Sequence, residues 1–75
     1  MAPNSDQERR QLDAADRHIA ELKQRIARQR RVITKLRLAK EPTDTERSRL
    51  AALEGSLRVF ERHRELILNN LKKDK

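Results

Sequence analysis

The sequence predicts an all-α fold: an antiparallel two-helix hairpin, coiled-coil-like, that pairs into a four-helix bundle as a homodimer. Three observations carry this expectation. Two apolar series, Leu12, Ala15, Ile19, Leu22, Ile26, Gln29, Ile33, Leu36 and then Leu50, Leu53, Leu57, Phe60, Arg64, Ile67, Leu71, advance by alternating steps of three and four residues. That is the heptad a/d period at which one helix face meets a partner. Between the series stands Pro42, which cannot continue a helix because it lacks an amide donor and its ring clashes with the preceding turn. Finally, 41% of the 75 residues are charged and 35% hydrophobic. This supplies a stripe of apolar side chains, and periodicity decides for helix over disorder.

Residues 1–5 are expected to be disordered, and the first helix to span about 6–40. Ser5 with Glu8 fits the capping box, in which a hydroxyl takes an orphan amide of the first turn and the glutamate reaches back. Residues 6–22 hold five acids and three bases, whereas 23–40 hold eight bases and no acid, a distribution that complements the helix dipole. The loop is placed at 41–43. The second helix, 44–71, opens with Thr43 and Glu46 as a second capping box. Residues 72–75 are expected as a basic frayed tail. A short connection between long helices makes them antiparallel neighbours.

Composition excludes several function classes. With no cysteine there is neither a disulfide framework nor a thiolate metal site. No apolar run reaches the roughly 18 residues of a membrane span. Met1 to Arg10 lack the apolar middle of a secretory signal and include Asp6 and Glu8, so the protein is expected in the cytoplasm. No nucleophile has an identifiable neighbouring base, so no catalytic residue, cofactor or enzymatic activity is assigned.

Charge suggests the register. If facing residues have numbers summing to 84–86, Ile26 meets Phe60, Ile33 meets Leu53, and two flanking ion pairs form, Lys23 with Glu61 and Arg30 with Glu54. The opposite flank then pairs Val32 with Ser56, Arg25 with His63 and His18 with Asn70, a nearly neutral edge. Beside it the second helix adds Ala52, Val59 and Leu66, turned about a third of a turn from the seam, where a single hairpin leaves them wet. Val32, Ala52, Ser56, Val59, His63, Leu66 and Asn70 are therefore the candidate dimer or partner interface.

On the outward face of the first helix lie Arg28, Arg31 and Lys35, flanked by Lys23 and Arg37. Such a row suits an acidic polymer, because each phosphate contact releases a counterion; a solvated face that favours the dipole is the plainer reading. No aromatic residues interleave the bases, so no stacking platform for single strands is expected. His18 and His63 could sense pH or ligate a metal, but a zinc site wants three or four ligands and none is assigned. Gln29 and Arg64 interrupt the seam, where polar residues set register at a cost in stability, and Arg64 is expected to reach Asp16 with its stem buried. Gly55 falls at an exposed position within the second helix.

The stretches Asp16-Arg17-His18-Ile19-Ala20-Glu21 and Ile26-Ala27-Arg28-Gln29-Arg30, with Thr45, Leu50, Leu53-Glu54, Leu57, His63-Arg64 and Ile67-Leu68, resemble a group of short hypothetical proteins frequent in alphaproteobacteria. The likeness covers roughly residues 12–71. It implies a bacterial helical hairpin and no activity. Many members of that group carry glycine where this chain has Glu41-Pro42, and His18 and His63 belong to the shared pattern.

Two functions are therefore expected from different classes. One is a non-catalytic, self-associating structural or adaptor module, which also offers its edge to another helical protein. The other is a small RNA- or DNA-backbone-binding protein acting through the basic face.

Overall fold

The computed structural model describes residues 3–73, with side chains from Asp6 onward. Two helices, α1 (Pro3–Leu38) and α2 (Asp44–Lys73), pack against each other as a hairpin. The rod is 60 Å long and 13–14 Å across. Its radius of gyration is 17.2 Å, where a compact chain of this length would have about 11 Å. Among the described residues no helix is long and apolar enough to cross a membrane.

α1 begins at Pro3, inside the segment expected to be disordered. Proline is well placed there, since the first-turn amide it lacks would have no helical partner. Ser5 consequently lies within the helix and not at its cap, and its side chain is outside the described residues. Its expected partner Glu8 has one carboxylate oxygen shielded without a hydrogen-bond partner among the described residues.

The other end of α1 closes two residues earlier than the charge run suggested. The Lys40 amide donates to the Arg37 carbonyl at 3.0 Å and the Glu41 amide to the Leu36 carbonyl at 2.8 Å, with Lys40 at φ 57°. These paired bonds around a left-handed residue are a Schellman motif. It usually recruits glycine, because an L side chain in that conformation crowds the following carbonyl. The connection is thus 39–43, not 41–43. Thr43 opens α2, its carbonyl accepting the Arg47 amide at 2.8 Å. α2 continues through Lys72 and Lys73, both assigned beforehand to a frayed tail; Asp74 and Lys75 lie outside the described residues.

The turn centres on residue 41, and cross-hairpin partners have numbers summing to 78 for His18 and Phe60, 80 for Asp16 and Arg64, and 84 for Arg30 and Glu54. Phe60 was expected opposite Ile26. Instead its ring stacks on His18 with centroids 5.1 Å apart, two helical turns further along α1.

Both heptad series face the seam, unequally covered. Among the described residues the buried side chains are Ala15, Ile19, Leu22, Ile26 and Ile33 of α1 but only Ile67 of α2. Leu50, Leu53, Leu57, Phe60 and Leu71 are half-buried. The slim rod explains part of this: with one facing helix, the seam side chains of α2 are covered from one side and part of each stays wet.

Gly55 is half-buried, not exposed, and a Cβ built there would meet only the Arg58 guanidinium at 3.9 Å, with no positive φ. Glycine is thus absent where the backbone favours it, at 40, and present where the helix does not need it, at 55. Gly55→Ala should stabilise the hairpin by about 0.5–1 kcal/mol. Lys40→Gly should add a gain of similar size, the relieved left-handed strain exceeding the extra unfolded-state entropy. Thermal melts by circular dichroism should show each variant melting several degrees higher.

Candidate interaction surfaces

Every residue expected at the partner interface, Val32, Ala52, Ser56, Val59, His63, Leu66 and Asn70, is exposed in the hairpin. On α2 they recur at intervals of three and four residues, forming one continuous strip. Val59 and Leu66 keep 68% and 52% of their surface in water, and Val32 of α1 keeps 42%. Singly these values would be ordinary. Together they adjoin the half-covered seam leucines of α2, so the wet apolar surface is contiguous.

A shallow recess on this side is bordered by Gln11, Ala14, Ala15, His18, Phe60 and His63. In place of the expected pairings of Arg25 with His63 and His18 with Asn70, His18 and His63 border this recess with Phe60. The Phe60 ring lies at 30° to the His18 imidazole, so the only aromatic side chain is occupied within the hairpin. Among the described residues no group of three or more His, Cys, Asp or Glu side chains is placed to hold a metal ion.

Polar residues fasten the seam. Arg64 Nε donates to Asp16 Oδ1 at 2.6 Å near the open end. Toward the loop, Gln29 Nε2 donates to Glu46 Oε2 at 2.6 Å and to the Glu46 carbonyl at 3.3 Å. Glu46, expected to return to its own cap, instead sends this oxygen across the hairpin, where Arg49 also lies 3.8 Å away. Sequence reading missed the Gln29–Glu46 contact because a glutamate three residues after a threonine reads first as a capping box. The bond joins a seam interruption to the first turn of α2, and such pairs specify alignment more than stability.

The flanking ion pairs differ from each other. Arg30 Nη2 meets Glu54 Oε2 at 3.0 Å. Lys23 and Glu61 border one recess with Asp16, Ile19, Arg64 and Glu65, but they form no ion pair within 4.0 Å among the described residues. Arg64, in the same recess, pairs with Asp16 as expected.

Arg28, Arg31, Lys35, Lys23 and Arg37 are all exposed on α1. Of the carboxylates in the facing turns of α2, Glu54 pairs with Arg30, Asp44 with Arg47 at 2.7 Å, and Glu46 accepts from Gln29. Among the described residues only Arg30, of the eight bases between 23 and 40, has a carboxylate partner.

Phe60→Ala should cost about 2 kcal/mol, less than the 3–5 typical of a fully enclosed ring, because Phe60 is half-exposed. Loss of its ring current should also shift the His18 ring protons downfield in NMR spectra. An unmoved His18 resonance would show that the stack does not form.

No protein-family model, curated protein or solved structure matches the chain.

Proposed function

We propose that the chain is a non-catalytic, self-associating helical module of the cytoplasm, whose homodimer is a four-helix bundle closed through the exposed edge of α2. The observation that carries this reading is the continuity of Val59 and Leu66 with the half-buried leucines of the seam. A second layer laid against α2 completes the burial of both. A second copy suits the edge because Ser56, Val59, Leu66 and Asn70 are uncharged. Two such strips therefore meet without like-charge repulsion.

Surface area supports the same occupant. The chain exposes 6200 Å², about 1,400 Å² more than the roughly 4,800 Å² of a compact monomer of 8.9 kDa. Stable pairwise interfaces bury about 800 Å² per partner, so one dimer contact removes over half of the excess.

Light scattering at micromolar concentration should return twice the 8.9 kDa chain mass. Val59→Glu combined with Leu66→Glu should halve it while leaving helical circular dichroism intact. A monomeric parent chain would overturn the reading, and an undisturbed dimer in the double variant would move the interface to another face.

A further inference from the structure

We infer that the loop-proximal half of α1 is a binding site for the phosphodiester backbone of duplex nucleic acid, with Arg28, Arg31 and Lys35 as its contacting cations. The site is separate from the self-associating edge and does not require it.

Folding segregates the charge. At the observed register, residue 23 of α1 lies level with about residue 58 of α2, so the segment 23–58 forms one half of the rod. That half carries the entire net charge of +7, and the remaining residues sum to zero. Little of this excess is neutralised internally. Arg30 alone among the eight bases of 23–40 has a carboxylate within 4.0 Å among the described residues, and the acids of the facing turns are taken by Arg30, Arg47 and Gln29. A half-rod with a concentrated positive field attracts polyanions over several ångströms and steers their approach.

Geometry narrows the ligand. Positions 28, 31 and 35 project within about 60° of one another on the outward side of α1, opposite the seam, and all three side chains are exposed. They extend over seven residues, about 10 Å of helix axis. A duplex presents one charge per roughly 1.7 Å of its own axis, so the row lies alongside about six phosphates and its three cations can neutralise three. Base recognition by stacking is not offered, since the only aromatic ring, Phe60, belongs to the other half and is stacked on His18. What remains is sequence-independent backbone contact, available on RNA and DNA duplexes alike.

The test is binding of fluorescently labelled 20-base-pair RNA and DNA duplexes. Both should bind at 50 mM salt and weaken by about 40-fold at 200 mM, as three neutralised phosphates require. Substituting Arg28, Arg31 and Lys35 together by glutamine should remove most of that salt dependence with helicity retained. The charge-matched control, Arg9, Arg10 and Arg17 to glutamine in the neutral half, should leave it nearly unchanged. The monomerising pair Val59→Glu and Leu66→Glu should keep the salt dependence, which separates this site from the self-association reading. No binding at 50 mM salt overturns the inference. So does equal loss in both triple variants, tighter binding to a single strand than to a duplex, or binding to vesicles of 30% anionic lipid without binding to either duplex.

Discussion

The single seam between α1 and α2 governs this molecule, because a two-helix rod has no second layer to correct an error in the first. Each apolar side chain is covered by one neighbour only, so a shift of alignment moves every contact together. The alignment is set at the turn, where the Glu41 and Lys40 amides close α1 on the Leu36 and Arg37 carbonyls. Pro42 then denies the chain any helical continuation. Gln29 on Glu46 and Arg64 on Asp16 hold the same alignment from either side of the middle. Both bonds are partly open to water, where net gains are small. Their main contribution is to penalise slipped alignments, in which these polar groups would meet leucine.

From this alignment follows the division of the rod into two halves of different character. The loop-proximal half gathers the bases of α1 against a stretch of α2 whose carboxylates already have partners. The open half balances its charges and bears Val59, His63 and Leu66 on its edge. Self-association through the edge of α2 leaves the outward face of α1, with Arg28, Arg31 and Lys35, unobstructed. Two like-charged ends also repel each other, and this disfavours stacking the basic halves of two hairpins side by side.

Coverage of the seam is uneven for a reason of shape. Ala15, Ile19, Leu22, Ile26 and Ile33 of α1 are buried, whereas Leu50, Leu53, Leu57 and Phe60 of α2 are covered from one side and stay half-exposed. The half-covered leucines adjoin the α2 edge, where Val59 and Leu66 are exposed. A rod with an incomplete core along one edge has a physical reason to take a partner there, which residues scattered around its circumference would not provide.

Much of this was legible in the residues themselves. Spacing of three and four gave both helices and the faces they bury, since a helix has one period and a seam needs one stripe. The wet positions of Ala52, Val59 and Leu66 follow from the same projection. The ends were less legible: the charge run of 23–40 continued past Leu38, and nothing local revealed that Lys40 would take the left-handed conformation usually reserved for glycine. Across the seam, Arg30 with Glu54 and Arg64 with Asp16 were legible, whereas the stack of Phe60 on His18 and the unpaired Lys23 and Glu61 were not. Glu46 was legible only as a cap, since a partner 17 residues away becomes visible only once the hairpin has closed. The sequence by itself determined helix content, the buried faces and the total charge, all of which depend on neighbours within two turns. Tertiary structure alone decided which residues meet across the seam, which bases stay unpaired, and that the whole net charge falls in one half of the rod.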